Sequence, residues 1–235
     1  MCSANGLSPN LLQPTVHQAF CYTNLYLAEQ PLPRYMSVVS HTMGLPQIKS
    51  DETSHIHHLL DVSTIILEQG LDLLENYLTS DEQLMVDSKF VHGSTIGKHL
   101  RHARDHFMLL LDAMAAPSPP YIVDYDVRRR NQPMENSIKA AHEALTECVE
   151  RLRREVPKLS VNEPLTLNAI TPYPQTFQST FGRELWFAGL HAEHHWSMVR
   201  VHAGELGINL PESFGFAPST LVHHGTEAPL GKAKI

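Results

Sequence analysis

The sequence predicts an all-α fold, a four-helix bundle, on three observations. Four segments of roughly 20 or more residues carry apolar positions three and four apart, the mark of a helix with one buried face. Proline-rich or glycine-containing stretches separate them, and neither a long alternating run nor an internal repeat competes with that pattern. The expected organisation is an irregular tail over residues 1–50, a bundle over 51–206 and a C-terminal tail over 207–235.

In the first 50 residues Pro9, Pro14, Pro31, Pro33 and Pro46 interrupt every apolar run before a helix of ordinary length forms. Met43 stands just ahead of the first helical pattern, so a shorter product beginning there is an alternative reading of this segment. From Glu52 to about Leu78, Ile56, Leu59, Leu60, Ile66, Leu67, Leu71, Leu74 and Leu78 form one apolar stripe. Ser94 is placed to cap the second helix, Ile96 to Met114, which runs without proline until Pro117. Pro117, Pro119 and Pro120 predict an extended connector through Arg130, and Pro133 opens a third helix, Met134 to about Val156. Pro157, Pro164, Pro172 and Pro174 reduce the next stretch to a loop or short hairpin. Ser179 or Thr180 caps the fourth helix, which Gly207 stops near Leu206. Beyond it only Phe214 and Phe216 offer a means of folding back.

A hydrophobic share of 42% in 235 residues suits one soluble globular domain with tails. The net charge of -7 argues against nucleic acid as a partner, because phosphate binding draws on Lys and Arg clusters. Cys2, Cys21 and Cys148 are odd in number and far apart, which builds neither a disulfide framework nor a thiolate zinc site and points to a reducing compartment. With no basic start followed by an apolar core, no Arg-rich transit pattern and no run of membrane-spanning length, the expected location is cytoplasmic, with no membrane partner.

The anomaly is histidine, 16 residues against 18 Lys and Arg combined. His191 and His195 lie four apart and project from one helical face, so two imidazoles can share a metal. Glu184, Phe187, Met198 and His202 continue that face, which directs it toward the interior. Buried imidazoles bonded to backbone or carboxylates would satisfy the same pattern without any ion. On the second helix His99, His102 and His106 form a stripe of their own, and one of the three would complete a three-histidine site. His55, His57 and His58 cluster at a helix start, where solvent exposure is the simpler expectation.

The segment Gly93 to Phe107, which reads Ser94-Thr95-Ile96-Gly97-Lys98-His99-Leu100-Arg101-His102 and then Asp105-His106-Phe107, resembles the S-I-G-Q-H-L-R-H-x-x-D-H-F opening of one branch of the DinB-like superfamily. It departs from that pattern at Lys98, where the branch has Gln, and in placing Thr95 between Ser94 and Ile96. Tyr125-Asp126-Val127-Arg128-Arg129-Arg130 is similar to the Y-D-x-R-x-R connector of that branch, and Arg183-Glu184-Leu185 with His191 to His195 to its last helix. The three motifs occur in the family's order over roughly residues 52 to 206. The resemblance implies a four-helix bundle of the DinB/YfiT type whose divalent metal is held by His102, His191 and His195, with His99 and His106 lining the site. Zn2+ is the expected ion, Ni2+ and Fe2+ the alternatives.

Arg128 and Arg130 alternate in an extended segment, so both can offer guanidinium forks to a carboxylate or thiol-peptide substrate, or tie the connector to Asp105, Glu135 or Glu184. Glu184 is the candidate general base, or a partner for one of these arginines. The resemblance therefore implies a metal-dependent enzyme acting on a small molecule, with thiol transfer slightly ahead of hydrolysis, and is compatible with a homodimer. The alternatives are a non-catalytic metal- or ligand-binding bundle and a hemerythrin-like di-iron protein. The last needs repeated Glu-x-x-His ligands, and only Glu52 to His55 fits.

Overall fold

The structure, a computed structural model, describes residues 52–127 and 129–232. The expected N-terminal tail with Met43, and Arg128 in the connector, lie outside the described residues. The chain is mostly helical: α1 spans Glu52–Asn76, α2 Ile96–Met114, α3 Ile138–Glu155, α4 Phe181–Glu205 and the short α5 Pro218–His224.

The predicted stripes form the core. Ile56, Leu60, Ile66, Leu67, Leu73 and Leu74 of α1 are buried with Leu100, Phe107, Leu110 and Leu111 of α2, Leu145 and Leu152 of α3, and Leu185 and Trp196 of α4. Helix α1 packs on α3 and α4, and α2 packs on the same two helices. Two helix starts differ from the expectation. Thr95, not Ser94, caps α2, its hydroxyl accepting from the Lys98 amide at 3.2 Å. Helix α3 begins later, at Ile138 behind the cap Ser137, because Pro133–Glu135 closes a separate 3-10 turn. That turn lies against α2, and a Cβ on Gly97 would collide with the Glu135 carbonyl, so only glycine permits the approach.

Three strands correct the expectation of an all-α chain: β1 Tyr121–Asp124, β2 Pro164–Ile170 and β3 Pro174–Thr180 form one sheet in that order. The β2–β3 hairpin is antiparallel, realising the hairpin option, while β1 pairs in parallel with β2 so that Val123 stands opposite Leu167. The prolines before Tyr121 hold the chain extended, and the buried Val123 and Leu165 seat the sheet on the core. Strand β3 passes directly into α4, whose cap is Thr180.

The stretch after α4, expected as a loose tail, is packed. Phe214, Leu221 and Leu230 are buried, and Phe214 stacks at 6.4 Å from Trp196. Arg200 holds this segment by donating to the carbonyls of Pro211, Glu212 and Phe214. No described helix is long and apolar enough to cross a membrane.

Candidate metal centre

The packing of α2 on α4 brings the two histidine stripes face to face. His102 from α2 and His191 and His195 from α4 each offer one ring nitrogen, and these three atoms lie within 4.8 Å of one another. The Nε2 atoms of His191 and His195 are 3.1 Å apart. The His102 ring stands edge-on to both, with centroids 4.6 Å from His195 and 5.2 Å from His191. His195 is buried and the other two are half-buried.

His99 lies behind this group. Its Nδ1 is 2.7 Å from Nδ1 of His195, and its Nε2 is 2.7 Å from the Ser94 hydroxyl, which in turn lies 3.1 Å from Nε2 of His202. On the other side His106 packs on His191 at 4.0 Å between centroids and stacks on Tyr125 at 4.8 Å, while its Nδ1 sits 3.0 Å from the His102 carbonyl. Phe187 stacks on His191 at 5.6 Å and completes this aromatic wall with Tyr125. His55, His57 and His58 are exposed, as expected.

Burial disfavours the charged imidazolium, so the interior histidines are held neutral. His195 is pushed down to about 2, first by burial and then by His102, His191 and His99 around it. His99 is pushed down to about 4 by burial, with His202, His194 and Arg101 adding to it. Burial also lowers His202, against the opposing charges of Glu205 and Asp87. A neutral imidazole keeps the lone pair that coordination requires.

The remaining predicted residues occupy different surroundings. Glu184 is buried, with Oε1 accepting from Ser179 at 2.6 Å and Arg183 at 3.1 Å. It acts electrostatically on Tyr125, whose hydroxyl is driven upward by burial and then by this carboxylate. Asp105 is buried beside Arg101 at 3.4 Å and Arg104 at 3.6 Å, and Arg101 also bonds Glu135 at 3.0 Å. Arg130 is exposed. Among the described arginines of the connector, Arg129 bonds Asp112 at 2.9 Å, a partner absent from the expected set of acids. Ser94, a cap candidate in the sequence, and Tyr125, a connector residue, also stand at the site. Their proximity in sequence to His99 and to the arginines was the only signal for a place at the site.

The residues fit a metal. Two imidazole nitrogens bound to one tetrahedral ion at roughly 2.0–2.1 Å sit about 3.3 Å apart, close to the 3.1 Å between His191 and His195. A three-imidazole set is a donor set for Zn2+ and its neighbours in the first transition row.

A protein of Rhizopus delemar named FK506-binding protein 5 is 34% identical over 168 residues, which is 70% of this chain and 37% of that protein. The chain thus spans little more than a third of that relative's length. No solved structure matches the chain. The family model described as the DinB superfamily matches residues 66–199, a span that runs from the core of α1 through α2 and the sheet to the histidines of α4. With both histidine stripes inside that match, the chain belongs to the DinB superfamily.

Proposed function

We propose that the chain is a metal-dependent enzyme on a DinB/YfiT-type four-helix bundle, with a divalent ion, Zn2+ first, held by His102, His191 and His195. The observation that carries this reading is the composition of the group: three imidazoles on two facing helices, joined by no fourth His, Cys, Asp or Glu among the described residues. Catalytic zinc sites use three protein ligands and leave a position for water or substrate, whereas structural sites are closed by four. When bound, the ion would lower the pKa of a water or thiol and polarise an electrophile. His106, Tyr125 and Phe187 form an aromatic wall beside His191 that limits water on that side. The Tyr125 hydroxyl and the Glu184 carboxylate lie against each other on the same flank and form the donor–acceptor pair assigned to proton handling. The substrate is a small molecule, and family resemblance favours thiol transfer over hydrolysis. Arg128 and Arg130 are assigned to binding a substrate carboxylate.

One observation favours the second reading, a binding protein without turnover. The Glu184 carboxylate already accepts from Ser179 and Arg183 through Oε1, so that oxygen is engaged by the protein rather than by a substrate proton. Cobalt substitution separates the readings. An open position predicts a stoichiometric Co2+ spectrum that changes when a small thiol is added. A Co2+ spectrum insensitive to thiols would move the assignment to a binding module.

A further inference from the structure

We propose that His99, Ser94 and His202 form a hydrogen-bonded strut that fixes which ring nitrogen of His195 carries the proton, so that Nε2 is the atom presented to the metal. The inference rests on the metal reading above and adds positioning residues to it.

The argument is one of donors and acceptors. His195 Nε2 faces Nε2 of His191, so that edge of the ring points toward the shared position. A neutral imidazole has one N–H and one lone pair, and coordination through Nε2 therefore puts the proton on Nδ1. Among the described residues the hydrogen-bond neighbour of Nδ1 is Nδ1 of His99 at 2.7 Å, which must then accept. His99 then carries its proton on Nε2 and donates it to the Ser94 hydroxyl at 2.7 Å. Ser94 has a single hydrogen, which goes to Nε2 of His202 at 3.1 Å, leaving the His202 proton on Nδ1. Each of the four groups donates once and accepts once or ends the chain, so the three hydrogen bonds are mutually compatible.

The arrangement that opposes coordination reverses the hydrogen bonds between Ser94, His99 and His195. His202 then donates to Ser94, Ser94 to His99, and His99 to Nδ1 of His195, which forces the His195 proton onto Nε2, where it blocks coordination. The strut is thus a two-state device, and metal binding selects the direction of the His195–His99 and His99–Ser94 hydrogen bonds. Ligand histidines usually rest on a carboxylate or a carbonyl. Here the support is neutral, so it orients the ring without adding charge beside the ion. Ser94 is free for this role because Thr95 caps α2 in its place.

The test uses the full chain. Zn2+ affinity is measured by competition with a chromophoric chelator, and the ring tautomers by long-range proton–nitrogen NMR of 15N-histidine protein. His99→Ala should weaken Zn2+ about 10- to 100-fold, Ser94→Ala less, and His202→Phe least. His99→Asn, whose side-chain oxygen can replace the Nδ1 acceptor, should recover most of the loss, which a purely structural role would not predict. Metal-loaded wild type should show His195 protonated at Nδ1 and His99 at Nε2. Wild-type affinity in His99→Ala, or a His99 protonated at Nδ1 in the loaded protein, overturns the strut. Equal Zn2+ binding by wild type and His191→Ala instead overturns the metal site itself, and the strut with it.

Discussion

Toward α1, helix α4 presents Gly189, Glu193 and Trp196; toward α2 it presents His191, His195 and His202. Both sides are buried, yet they reach saturation differently. On the α1 side one large ring fills the space, with the Trp196 N–H donating to the Ile66 carbonyl at 2.6 Å and the ring lying over Gly70. Any added Cβ at Gly70 would press on that ring at 3.0 Å. On the α2 side the contacts are imidazole to imidazole, at distances that suit hydrogen bonds or a shared ion. The apolar side supplies stability from burial and the Trp196 hydrogen bond, while on the proposed reading the polar side gains further stability from a bound metal. One helix therefore separates the holding of the fold from the work of the site.

The comparison is broken most severely on the apolar side. Trp196→Ala should destabilise the protein by about 3–5 kcal/mol, the usual cost of deleting a large buried aromatic, as read from denaturant unfolding. On the polar side His191→Ala should leave metal-free stability nearly unchanged. It should abolish the metal-dependent gain, about 2.7 kcal/mol for wild type at a metal concentration one hundred times Kd. If both variants lost stability equally without metal, the division between the two sides would be false.

The smallest effect lies with the one acid on the α1 side. Burial raises the Glu193 carboxyl to about 8, against a weak lowering by Gln69. A raised folded pKa means that the folded state holds the proton more tightly than the unfolded one. Its contribution is complete below the ordinary value of 4.5 and is lost as pH rises through about 8. His99 and His195 run the other way: their lowered values make the unfolded state the better proton binder below 6.5, so they cost stability as pH falls. Metal-free wild type should therefore lose stability relative to Glu193→Gln between pH 5 and pH 8, measured by thermal unfolding. A pH-independent difference would show that Glu193 is charged in the folded protein.

The four long helices were legible because amphipathic periodicity accumulates over many turns, and His191 with His195 because four residues span just over one turn. The helix-two ligand was not legible from spacing. His99, His102 and His106 share one stripe, and only the crossing of α2 on α4 decides that His102 joins the pair while His99 stands behind His195. Strand β1 was missed because four residues are too few to show alternation and its partner β2 lies beyond a whole helix. The packing of Phe214 and Leu221 depends on a surface made by Trp196 and α1, which no local pattern encodes. Ser94 looked like a cap because Ser and Thr are nearly equivalent there, and the choice of Thr95 turns on one hydrogen bond to Lys98.

The central claim, that His102, His191 and His195 jointly hold one divalent ion, is tested most directly by X-ray absorption on the full chain loaded with one equivalent of Zn2+. The account predicts about three imidazole nitrogens at roughly 2.0–2.1 Å and a further light-atom ligand, with imidazole scattering reduced in His102→Ala and in His195→Ala alike. A sulfur scatterer, or an imidazole shell unchanged in both variants, would contradict it.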